Sequence, residues 1–216
     1  MTIQEGIQAH HKRISGEHDR FRSWEHCYGY FRRTPPQALS ADRYQAALQL
    51  AFYLASWGMY RGSSFLLRYS FTAHLGVIDL LSKPRSSVLW DTEFGSSQRN
   101  YDLVPKITET IDGIRTAYQP FAERSASGQA SDTLVTKVIL GTFGCLPACD
   151  RYFIEGFKQK GFPYTRLNPN FIEQVLDFCL SNLRDLKKAQ VANRESWRRA
   201  VPFDEVGRCV FLADWL

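Results

Sequence analysis

The chain has 216 residues, 44% of them hydrophobic, 23% charged and 14% aromatic, a composition that suits one folded domain and argues against disorder. A formal net charge of +5 and a sequence pI near 9.0 favour an acidic partner such as nucleic acid. The polar opening segment lacks the pattern of a secretion signal, and the apolar run from Ala46 to Tyr60 is shorter than the roughly 20 residues a bilayer span needs. Together these predict a cytoplasmic protein with no membrane contact.

Apolar residues recur at threes and fours, and alternation with period two is nearly absent, which predicts an all-α single domain of about seven to nine helices. Thr2 to Ser15 can open as a short helix. Asp19 to Arg33 reads as another, with Phe21, Trp24, Tyr28 and Phe31 along one stripe, closed by Thr34-Pro35-Pro36. Ser40 can cap a helix from about Asp42 to Met59 that is apolar almost all the way round, as a central helix would be. Gly58 and Gly62 interrupt it, Ser63 to Tyr69 resumes, and Thr72 can cap Ala73 to Leu81.

Val88 to Asn100 reads as a loop, and Asp102 as the cap of a helix that tolerates Pro105 in its first turn and stops before Pro120. The small polar stretch Glu123 to Asp132 predicts a mobile surface loop with no core contact. Further helices are expected over Thr133 to Leu140, Pro147 to about Lys160, Asn170 to Lys188 and Asp204 to Trp215.

Two segments carry polar residues where packing does not ask for them. In WGMYRGSSF, Trp57 to Phe65, Arg61 and the hydroxyls of Ser63 and Ser64 interrupt the most apolar part of the chain. If Arg61 is buried it needs a carboxylate or an anionic ligand, since an unpaired buried guanidinium is costly. Donors at a helix start beside it suit phosphate or carboxylate. In GTFGCLPACDRYF, Gly141 to Phe153, Asp150 and Arg151 open a helix after a tight turn. Asp150 there either caps its helix, or pairs with Arg61 as a structural ion pair, or forms with it an Arg-Asp ligand pocket near Trp57.

His26, between Trp24 and Tyr28, is the histidine to test first as an acid or base, against the plainer reading of a satisfied structural histidine. Lys187, Lys188, Arg194, Arg198 and Arg199 form a basic cluster that can follow a phosphate backbone or simply be a solvated helical face. The five cysteines, Cys27, Cys145, Cys149, Cys179 and Cys209, form no CxxC pair, so buried free thiols are expected rather than a disulfide framework or a metal site. The phosphate loop, dinucleotide fingerprint, zinc-protease and serine-hydrolase motifs are missing, and no cofactor is implied.

The stretches Leu50 to Leu67 and Leu140 to Phe153 resemble those of an uncharacterised family of small all-helical bacterial proteins, a likeness that implies a fold and no activity. A fainter likeness is to helix-hairpin-helix DNA glycosylases, with Gly141 and Gly144 at the hairpin and Asp150 in place of the catalytic aspartate. Asp150 follows Gly144 by six positions, much sooner than in that family. The leading expectation is a helical protein that meets nucleic acid through its basic face, with Arg61, Asp150 and His26 near a polar pocket. The alternatives are a non-enzymatic module for a small anionic ligand or a protein partner, and a purely structural Arg61–Asp150 pair.

Overall fold

A computed structural model describes residues 5–6, 18–83, 89, 102–123, 128–164 and 166–188. Spacings of three and four put Trp24, Cys27, Tyr28 and Phe31 on one helical face, and that face of α1 (Ser23–Arg33) is buried. A single 3-10 turn, Arg20–Arg22, leads into it. Pro36 then opens α2 (Pro36–Ala41), where its missing N–H costs nothing. Ser40 therefore lies inside α2, and the cap of α3 (Arg43–Ser56) is Asp42, whose Oδ1 accepts from Gln45 N–H at 3.2 Å.

Helix α3 ends at Ser56 rather than Met59, and it is not buried all round. Ala46, Ala47, Leu50, Tyr53 and Leu54 face the core, whereas Tyr44, Leu48 and Phe52, spaced by fours, form an exposed stripe with Phe52 60% accessible. Beyond it come two 3-10 turns, Phe65–Arg68 and Phe71–His74, and then α4 (Leu75–Leu81). Ser64 and Ser70 cap the turns, each hydroxyl accepting from the N–H two residues on. Thr72 consequently lies within a turn and is not a cap.

Helix α5 (Leu103–Ala122) runs through Pro120 instead of stopping before it, and ends two residues later, so the bond the proline cannot donate is lost close to the helix end. Ser131 caps α6 (Asp132–Thr142) through Leu134 N–H, Asp150 caps α7 (Arg151–Gln159), and Asn168 caps α8 (Pro169–Ser181) through Phe171 N–H. Residues 145–149 are not helical, so α7 starts later than the sequence suggested. The expected continuous helix to Lys188 breaks at Asn182, and 183–188 forms a separate short piece.

The end of the Glu123 to Asp132 stretch does hold core contacts: Ala130 is buried and Asp132 is tied on both sides. The helices expected over Thr2 to Ser15 and Asp204 to Trp215, and the Val88 to Asn100 loop, lie outside the described residues, apart from Glu5, Gly6 and Leu89. Helix α1 packs across α3 and α6, α4 lies along α5, and one core runs from Trp24 to Leu186. An aromatic group of Phe153, Phe157, Phe162, Phe171 and Phe178, with centroids 4.9–6.2 Å apart, joins α7 to α8. The fold is all-α, with no strand among the described residues and no helix of theirs long and apolar enough to cross a membrane.

Candidate functional site

Helix α3 stops because Trp57 and Gly58 turn the chain out of it. Gly58, at φ +75°, returns its N–H to Ala55 O, and Met59 N–H returns to Leu54 O, a pair of bonds that satisfies the last carbonyls. The Arg61 guanidinium folds back to about 2.9 Å from where a side chain at Gly58 would begin, and the positive φ is what favours glycine there. Ser63 and Ser64 follow at the start of the next turn.

The other wall comes from α6 and α7. Thr133 Oγ1 donates to Cys149 O and Cys149 N–H donates to Thr136 Oγ1, both at 2.8 Å. These two bonds pin the extended residues 145–149 along α6. The N-termini of α6 and α7 are thereby brought to the same opening.

Between these walls lies a cleft of about 830 Å³, lined by Arg20, Arg61, Lys137 and Arg151 as cations and by Asp150 as the sole carboxylate of its lining. Ser63, Ser64, Ser131 and Thr133 add hydroxyls, and Met59, Phe65, Leu134 and Tyr152 add apolar surface. The volume falls in the range that takes a small organic ligand. Helix N-termini carry partial positive charge, so those of α6 and α7 add to the attraction for an anion, with Ser131 and Asp150 already accepting from some of their N–H groups.

Five of the residues singled out from sequence thus meet in one place: Arg61, Ser63, Ser64, Asp150 and Arg151. Their arrangement differs from the expectation in two ways. Arg61 is exposed rather than buried, and among the described residues no ion pair joins it to Asp150. Asp150 instead caps α7, its Oδ1 accepting from Tyr152 and Phe153 N–H at 3.0 and 3.2 Å. The structural-pair reading fails because Arg61 remains in water, where nothing forces a partner on it.

Trp57 stands behind the cleft and not in its lining. Its carbonyl accepts from Lys137 Nζ at 2.8 Å, and the same nitrogen lies 5.7 Å from its ring centroid. At the mouth, Arg151 donates to the Tyr152 hydroxyl at 2.7 Å and stacks on its ring, which stays 58% exposed.

His26 is exposed on α1 and does not line the cleft: it sits on the face opposite the buried Trp24, Cys27 and Tyr28. Lys187 and Lys188 are exposed, also away from the lining, while Arg194, Arg198 and Arg199 lie outside the described residues. The thiols of Cys27, Cys145, Cys149 and Cys179 are free and buried, and burial pushes that of Cys27 well up.

The residue that sequence reasoning passed over is Lys137. It is only 6% exposed, although its neighbours in α6 are all apolar or small. Burial lowers its pKa, Arg61 and Arg20 lower it further, and Asp150 opposes them. A lone lysine at the centre of a TLVTKVILGT run was the available signal.

A second missed group is closed off from the cleft. His74, 0% exposed, has Nε2 2.7 Å from the Tyr60 hydroxyl and Nδ1 2.7 Å from that of Tyr118. Burial lowers the pKa of His74 to about 4 and raises that of Tyr60 to about 12.

Compared with known proteins, the chain matches no family model, no curated protein and no solved structure.

Proposed function

We propose that the protein is a helical binding protein whose cleft holds a small phosphate-bearing ligand. The observation that carries this reading is the charge of the lining: four cationic side chains face one carboxylate that is already engaged as a helix cap. Two helix N-termini and several hydroxyls point the same chemistry at the same space. Arg61 and Arg151 would grip phosphate oxygens, and Asp150 would hold the α7 N-terminus in place rather than act as an acid or base.

Nucleic acid is the second reading, and Tyr152 favours it. A strand could place a backbone phosphate in the cleft and stack a base on the exposed ring.

The test is titration of the purified protein with pyrophosphate, nucleotides and fluorescent single-stranded DNA and RNA at low and moderate salt. A small ligand should bind with a shallow salt dependence. A strand that contacts several phosphates should lose affinity steeply. Binding of none of these at low salt would rule out the phosphate reading.

A further inference from the structure

We infer that Lys137 is a carbonyl-trapping amine, so that the cleft takes a phosphate-bearing aldehyde or ketone and holds it as an imine on Nζ. This rests on the phosphate-binding reading above and adds to it the ligand's second functional group.

The argument starts from where the chain puts its cations. Arg61 and Arg151 reach the cleft from exposed positions, which is all that attraction for an anion requires. Lys137 reaches it from within the core, 6% exposed, in the second turn of α6. A buried ammonium is costly unless it is paired, and among the described residues no carboxylate bonds to this one. Its one hydrogen-bond acceptor among them is the Trp57 carbonyl, which leaves two N–H positions without a partner among the described residues.

Such a site tolerates the neutral amine better than the ammonium. The direction of the shift in its proton affinity agrees: burial is the largest cause, Asp150 opposes it, and the Arg61 and Arg20 charges act with burial. An oriented amine at the edge of an open cleft that gives up its proton more readily than an exposed lysine becomes a nucleophile once deprotonated, and the electrophile that matches a primary amine without any further reagent is a carbonyl carbon.

The step balances with nothing added. The Nζ lone pair forms the N–C bond while the carbonyl π electrons move to oxygen, giving a carbinolamine. Loss of the C–O bond then forms C=N, and both amine protons leave with the carbonyl oxygen as one water. The indole of Trp57, 5.7 Å from Nζ, shields one side of the product from hydrolysis. A phosphate on the ligand, gripped by Arg61 and Arg151, would hold the carbonyl at the amine long enough to react.

Pyridoxal 5′-phosphate is the probe, followed by borohydride reduction and peptide mass mapping. The expected result is one adduct per chain, at Lys137, that pyrophosphate suppresses. Pyridoxal without the phosphate should label about tenfold less at equal concentration, about the worth of one charge-assisted hydrogen bond. The exposed Lys83, Lys106, Lys158 and Lys160 serve as internal controls in the same map.

Lys137→Met should remove the adduct and Lys158→Met should leave it. If Lys137→Met does not fold, the map of the unaltered chain decides alone. Adducts on exposed lysines with Lys137 unlabelled would overturn the inference, and if pyrophosphate still bound, the phosphate reading would survive it. Labelling of Lys137 that ignores phosphate would overturn the anchoring argument, and absence of both labelling and pyrophosphate binding would remove both.

Discussion

His74 and Lys137 are both buried nitrogen bases, and their surroundings treat them oppositely. Both ring nitrogens of His74 have a tyrosine hydroxyl at 2.7 Å, so a neutral imidazole donates with one nitrogen, accepts with the other and has no capacity left. Lys137 has one backbone acceptor and an open cleft beside it. A filled network fixes the 3-10 turn Phe71–His74 against α5 and has nothing to offer a ligand. An unfilled one costs stability, and that cost makes sense when something outside the chain completes it.

The comparison breaks most directly at His74. His74→Ala would leave a cavity and the buried Tyr118 hydroxyl without its partner, and should destabilise the fold by about 4 kcal/mol in urea unfolding. A loss below about 0.5 kcal/mol would mean the network does not hold the turn.

Next in size is a pH effect on the same group. The pKa of His74 is lowered from 6.5 to about 4, so between those values the unfolded chain binds the extra proton and the folded chain does not. The stability contributed by neutral His74 is thus whole above pH 6.5 and falls as pH drops toward 4, by on the order of 3 kcal/mol. Unfolding free energies measured across that window should show the slope, and His74→Gln should flatten it.

Asp132 is another filled group, and nearer the cleft. Its Oδ1 accepts from Arg115 at 2.7 Å, and its Oδ2 from the Tyr164 hydroxyl and from Leu167 N–H. Burial would raise its pKa, but these hydrogen bonds outweigh that and hold it below 3.8. Asp132→Asn should cost about 2 kcal/mol in chemical denaturation. Little change would show that Arg115 and Tyr164 find water as readily as they find the carboxylate.

The smallest stability effect belongs to an exposed cation of the cleft. Arg61→Ala should stay within about 0.5 kcal/mol of the parent chain and yet weaken pyrophosphate binding about tenfold by calorimetry. A large stability loss would place Arg61 among the structural residues and blur the distinction.

These contrasts follow how the sequence could be read. Helices were legible wherever one face is apolar, as in α1 and α5, because a 3.6-residue period leaves a visible stripe. Caps were less so: Ser40, Thr72 and Asp102 are all acceptable cap residues, and only the path of the chain decides between Ser40 and Asp42 or between Thr72 and Ser70. The exposed stripe of Tyr44, Leu48 and Phe52 misled for a related reason, since an apolar residue in the sequence does not say which side of the helix has a neighbour.

In the cleft, Arg61, Ser63, Ser64, Asp150 and Arg151 stood out as polar residues between glycines in apolar surroundings. Lys137 and His74 did not, because lysine usually snorkels to water and histidine usually sits at a surface. Burial of either is decided by segments far away in the chain. His26, chosen for its titration range and its place beside Trp24 and Tyr28, falls on the exposed face of α1 because those aromatics turn the other way into the core.

The bond from Lys137 to the Trp57 carbonyl spans 80 residues of sequence. Segments on either side of that separation supply the two walls, so the cleft does not exist until the 80-residue loop has closed. An occupant recognises only the finished native state. Saturating ligand should therefore slow global unfolding and raise the midpoint of the whole transition, by an amount set by its concentration relative to its dissociation constant, rather than protect a local segment.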